Sequence, residues 1–157
     1  MFIGEGEDVV DRIWNLRPAS AHHVIGPRGR WGQAVYGRDT AWANANQLAN
    51  QQTIAIEHSN NTGRHGGNDF HALSWNISDE TIISGARVGA AYCRSEKLGI
   101  PQYGKNIRDH NEFTSTGCPV HLQGPRPGNA WGVARLASTT TRGWKKPLAS
   151  TTTCPRG

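Results

Sequence analysis

A boundary in charge limits what this chain can fold into more than any other feature. Residues 1–118 hold 11 Lys/Arg and all 12 Asp/Glu, a net of −1, whereas residues 119–157 hold six Lys/Arg and no acid, a net of +6. The overall charge of +5 therefore belongs to the tail and not to the body. From about Gly124 onward the chain is rich in Thr, Pro and Gly and poor in apolar residues. It also repeats itself there: Leu136-Ala-Ser-Thr-Thr-Thr141 recurs as Leu148-Ala-Ser-Thr-Thr-Thr153, a period of 12. Two copies are too few for a stacked repeat fold, which needs ~3. The expected division is one folded domain over residues 1–123 and a weakly ordered basic tail over 124–157. Such a tail can bind DNA, bind an anionic cell wall, or simply be a solvated extension.

Composition narrows the class of the body. A chain of 157 residues suits one domain. Charged residues are 18%, and Gly and Pro number 19 and 8, so long polar loops are expected. No uncharged apolar run approaches the ~18 residues of a membrane span. Met1 to Asp11 is acidic and lacks the apolar stretch of a signal peptide. Six Trp and several Ile/Val runs argue against a fully disordered chain.

The local patterns predict strands and helices in alternation. Residues 7–15 read as a short amphipathic helix that Pro18 ends. Residues 22–25 and 31–36 read as a hairpin around the Gly26-Pro27-Arg28-Gly29 turn. Residues 37–52 are polar, a loop with room for one helical turn. Thr53-Ile-Ala-Ile-Glu-His58 is the clearest strand, with Ile54 and Ile56 on one face and Glu57 on the other. After a second long loop, Ser78 caps a helix to about Leu98, with Asp79 and Glu80 suiting its dipole. Ile82, Ala86, Ala90 and Cys93 recur at helical spacing on it. A short strand over 107–109 leads to the loop His110 to Pro119. This alternation implies an α/β layer structure with a central sheet.

Few residues can carry chemistry. Glu57 ends an apolar strand, where a carboxylate in a cleft can orient or deprotonate a water; a solvated strand-end Glu is the competing possibility. His110 and Cys118 are both good zinc donors, but catalytic zinc usually takes three protein ligands. Their spacing alone equally describes a loop His and a buried Cys. The three cysteines, Cys93, Cys118 and Cys154, are odd in number, have no regular spacing and do not look like a disulfide framework. No His-Glu-x-x-His helix, Gly-x-Ser-x-Gly elbow or phosphate-binding glycine loop is present.

Four segments together resemble one family. Ser20-Ala-His-His-Val-Ile-Gly-Pro-Arg-Gly29 is similar to the "SAHYVI-x-x-x-G" segment of zinc-dependent N-acetylmuramoyl-L-alanine amidases. Asp39-Thr-Ala-Trp42 resembles their "x-x-AWH" segment, and Thr53 to His58 their "SIGIE" strand. His110-Asn-Glu-Phe-Thr-Ser-Thr-Gly-Cys-Pro119 resembles their "H-x-x-x-x-x-K/T-x-C-P" loop. Order and spacing agree over roughly residues 5–121, and the nearest flavour is the amidase domain of phage endolysins, related to peptidoglycan recognition proteins. The resemblance implies an α/β fold, a mixed central sheet flanked by helices, and hydrolysis of the amide between N-acetylmuramic acid and L-alanine. It implies Zn²⁺ as cofactor with His110 and Cys118 as ligands. It also implies Glu57 as catalytic carboxylate, Thr116 as oxyanion stabiliser, and Trp42 and Asn44 as substrate-binding residues. His22 and His58 would be packing or hydrogen-bonding residues outside the metal's first shell.

One departure bears on activity. The family's first zinc ligand is a His at the end of the first strand, and this sequence has no His before His22. The first strand reads as truncated. The alternatives are thus a peptidoglycan hydrolase and a non-catalytic peptidoglycan-binding module that has lost one ligand. Either would act as a monomer, without nucleic acid or membrane partner. It would stay in the host cytoplasm until lysis and then reach the cell wall.

Overall fold

The computed structural model describes residues 14–59, 77–116, 118, 119 and 122. Three short strands form its sheet: β1 (His23–Ile25), β2 (Trp31–Gln33) and β3 (Ile56–His58), in the order β2-β1-β3. β1 and β2 are antiparallel, with Val24 opposite Gly32, and β1 and β3 are parallel, with Val24 opposite Glu57. The sheet is therefore mixed, as expected. Gly29 closes the hairpin at φ +73, and a Cβ there would lie 2.8 Å from the Glu80 carbonyl oxygen. Glycine is needed both for the backbone angle and for the approach of the helix.

The parallel pairing decides which way each residue of β3 faces. The amides of His22 and His23 both donate to the Ala55 carbonyl, and Ser59 N–H donates to the Ile25 carbonyl. The Ala55 carbonyl and the Ser59 amide thus tie the ends of β3 to β1. Side chains alternate as well, so Glu57 and His58 leave the sheet on opposite faces.

Helix α1 (Gln47–Gln52) is a six-residue helix in the stretch expected to be a loop with one helical turn. Asn46 makes it possible, its side chain accepting from Ala49 N–H as an N-cap. Helix α2 (Asp79–Ser95) crosses behind the sheet with Ser78 as its N-cap, as the sequence predicts. Its buried side is Thr81, Ile82, Gly85, Ala86, Gly89 and Cys93. A Cβ on Gly85 would lie 1.9 Å from His58 Nε2, so the bare glycine backbone is what lets α2 pack over β3. Three hydroxyls at the start of α2 hold the hairpin turn: Ser78 to the Pro27 carbonyl, Thr81 to that of Gly26 (2.7 Å) and Ser84 to that of Gly29 (2.7 Å).

Two expectations differ from the structure. Residues 107–109 do not form a strand. Ile107 N–H donates to the Gln102 carbonyl and its own carbonyl accepts from Gly104 N–H, so a tight loop consumes the groups a ladder would use. A 3-10 turn, His110–Glu112, follows instead. At the N-terminal end, the described part of the expected helix is a 3-10 turn, Trp14–Leu16. The rest of that helix, the truncated first strand and the 124–157 tail lie outside the described residues. Among the described residues, no helix is long and apolar enough to cross a membrane.

The core is polar for its size. Ala21, Val24, Ile25, Ile56, Ile77 and Ile107 are buried, but so are His22, His23, His58, Asn44, Asn50, Glu57, Asp109 and His110. Buried polar groups need partners, and these partners fix the site.

Candidate active site

Glu57 and His110 share one cleft. Its volume is about 240 Å³, and its walls include Trp14, Arg17, Ser20 and Trp42. Glu57 comes from β3 and is only 2% exposed, so it is not the solvated strand-end carboxylate that the pattern also allowed. His110 opens the 3-10 turn, lines the same cleft and is likewise buried. A larger cavity, about 670 Å³, lies between Ile54, Ile56, α2 and residues 106–108. Neither Glu57 nor His110 lines it, so its size does not make it the reactive site.

The mouth of the cleft is built by two of the sequence motifs acting on each other. Ser20 N–H donates to the Trp42 carbonyl (3.1 Å), and Trp42 N–H donates to Ser20 Oγ (2.9 Å). This reciprocal pair holds the Trp42 ring at the rim, 65% exposed. Asn44 stands differently from its assignment. It is buried, its N–H donates to Asn50 Oδ1 (2.7 Å) and its Nδ2 donates to Thr53 Oγ1 (3.0 Å). It braces the loop that carries Trp42 and does not line the cleft.

The other described histidines, His22, His23 and His58, are scaffolding. His22 Nδ1 accepts from Ala55 N–H (3.0 Å), so its proton sits on Nε2 and goes to the Asp39 carbonyl (3.0 Å). Trp31 Nε1–H donates to His23 Nδ1 (2.9 Å), which leaves His23 Nε2–H for the Tyr92 hydroxyl (2.7 Å). Burial pushes His22 down, His23 down to about 4 and His58 down to about 3. All three are therefore neutral at physiological pH.

Cys118 is brought beside the His110 turn by backbone, since Asn111 N–H donates to the Cys118 carbonyl (3.1 Å). Thr116 lies in the same loop, its Oγ1 accepting from Cys118 N–H (3.3 Å). Cys118 is disulfide-bonded, and its partner lies outside the described residues. A disulfide sulfur offers no thiolate to a metal, so zinc ligation by Cys118 requires its reduction. Among the described residues, no group of three or more His, Cys, Asp or Glu side chains is placed to hold a metal ion. The described donors, His110 and Cys118, therefore do not make up a zinc site.

Motif matching overlooked Trp14 and Arg17 as cleft walls and Ser20 as the partner of Trp42. The signal for Ser20 was present, because it begins one motif and Trp42 ends the next. A model of the family described as N-acetylmuramoyl-L-alanine amidase matches residues 5–121. No solved structure matches the chain. With three quarters of its length matched, the chain belongs to the N-acetylmuramoyl-L-alanine amidase family.

Proposed function

We propose that this chain is a phage endolysin that cleaves the amide between N-acetylmuramic acid and L-alanine in bacterial peptidoglycan. One observation carries the reading: a buried carboxylate, Glu57, and a buried imidazole, His110, line one cleft in a chain of this family. Glu57 takes the proton of the attacking water and delivers it to the leaving amine. Thr116, whose oxygen accepts one hydrogen bond, retains its O–H for a developing oxyanion. The exposed Trp42 ring offers an apolar face to the glycan or lactyl group.

Zinc belongs to this reading through the family, with His110 and reduced Cys118 as two ligands and the third from outside the described residues. The enzyme acts as a monomer on the wall after a separate permeabilising factor releases it from the host cytoplasm. The basic tail adds attraction for anionic wall polymers. A second reading, a module that binds peptidoglycan without cutting it, follows from the sequence itself, which has no His before His22 where the family's first zinc ligand stands.

Zinc content and cleavage of the full chain, measured together with and without a thiol reductant, separate the two readings. The amidase reading expects one zinc per chain under reduction, new L-alanine amino groups from peptidoglycan, and loss of both on chelation. It also expects Glu57→Ala and Cys118→Ser to abolish cleavage while thermal unfolding stays cooperative. Full activity in either variant overturns its role. Wall binding with no zinc and no cleavage under any redox condition selects the second reading.

A further inference from the structure

Residues 102–112 form a hydrogen-bonded unit of which the proposed chemistry uses only His110. Tyr103 sits in the tight loop that closes on Gln102 and Ile107, with Gly104 at φ +77 allowing the turn. The Asn106 side chain pins this loop by donating to the Leu98 (3.0 Å) and Ile100 (3.1 Å) carbonyls. The Tyr103 ring packs against the buried pair Cys93 and Ile107. With its ring fixed, its hydroxyl reaches Asp109 Oδ2 at 2.6 Å. Asp109 is fully buried and is the N-cap residue of the 3-10 turn that His110 begins.

The far side of that turn is held as well. Asp109 N–H donates to Glu112 Oε1 (2.9 Å), and Glu112 Oε2 receives Arg108 Nε (2.6 Å). The turn itself is short, closed by Glu112 N–H to the Asp109 carbonyl (3.1 Å) and Phe113 N–H to the His110 carbonyl (3.0 Å). So short a turn has little stiffness of its own, and its side-chain ties set its orientation. A buried carboxylate depends on its donors, and an O–H to a charged oxygen is among the strongest of them.

We propose that Tyr103, acting through Asp109, is a positioning residue for the His110 imidazole. Removing the hydroxyl leaves Asp109 with one donor fewer. The carboxylate then turns to recover solvation and tilts the backbone of which His110 is the next residue. The predicted loss in turnover rests on the amidase reading, whereas the predicted change at the imidazole does not.

The test is Tyr103→Phe in the full chain, under reducing conditions with zinc added. Its readouts are kcat and KM for peptidoglycan cleavage and the ¹⁵N-detected imidazole resonances of His110. The expected result is a fall in kcat of ten- to a hundredfold with KM within twofold, and shifted or broadened His110 signals. Unchanged kcat with unchanged His110 signals overturns the proposal. If the unsubstituted chain does not cleave peptidoglycan, the amidase reading fails by itself. The proposal then stands or falls on the His110 resonances alone. If Tyr103→Phe does not fold, Asp109→Asn keeps the side-chain shape while weakening the same bond, and the same two readouts are expected to move in the same direction. Unmoved readouts there overturn the proposal equally.

Discussion

At the scale of single residues, the contact most sensitive to substitution is Gly85 against His58. A methyl group at Gly85 would stand 1.9 Å from His58 Nε2, and His58 is fully buried beneath α2. Neither side can yield without moving β3, which also carries Glu57. Gly85→Ala is expected to cost about 3 kcal/mol, at the upper end of ordinary overpacking, measured as a lower denaturation midpoint. The sequence alone did not reveal this contact, because helical periodicity is counted on apolar side chains. Of Ile82, Ala86, Ala90 and Cys93, all but the half-buried Ala90 lie on the buried side of α2, while Gly85 and Gly89 make contacts by having no side chain. Glu57 was legible, since alternation placed it opposite Ile54 and Ile56. Its burial was not, because burial depends on the wall that His110 and Trp42 supply.

At the scale of elements, the start of α2 does more than begin a helix. Ser78 caps it by accepting from Thr81 N–H (3.1 Å) and also donates to the Pro27 carbonyl, so one hydroxyl joins α2 to the hairpin turn. Ser78→Ala removes both bonds and is expected to destabilise by about 2 kcal/mol, the upper range for a cap, as a shift in the urea midpoint at unchanged slope. The cap could be found in the sequence as Ser78 before Asp79 and Glu80. Its second bond crosses from residue 78 to residue 27, and no local pattern encodes that. The length and position of helix α1, expected only as one turn somewhere in 37–52, and the 3-10 turn after Asp109 escaped the pattern for a related reason. Each depends on a side-chain tie, Asn46 to Ala49 or Glu112 to Asp109, within a stretch whose composition suggests loop.

At the scale of the whole molecule, a core built on neutral histidines makes stability depend on acid. Burial holds His23 at about 4 and His58 at about 3, against 6.5 when unfolded, and it lowers His22 as well. The unfolded chain therefore binds more protons than the native one below pH ~6.5. The stabilisation is complete above that pH and is lost progressively as pH falls through the folded values. About two protons per chain from His23 and His58 should be taken up on unfolding at pH ~5. Thermal midpoints measured from pH 7.5 to 4.5 should fall on the acid side. A flat profile would show that these histidines titrate equally in both states.

The parallel pairing of β1 with β3 also has a kinetic side. Strands running in the same direction cannot be joined by a tight turn, and here the connection carries β2, the Trp42 loop and α1. Closing such a connection costs chain entropy before any ladder bond compensates for it. The hairpin and α2 can form locally, whereas Glu57 meets His110 only after this long-range closure. The cleft is thus among the last parts of the described structure to assemble, and a partly folded chain keeps Glu57 and His110 apart.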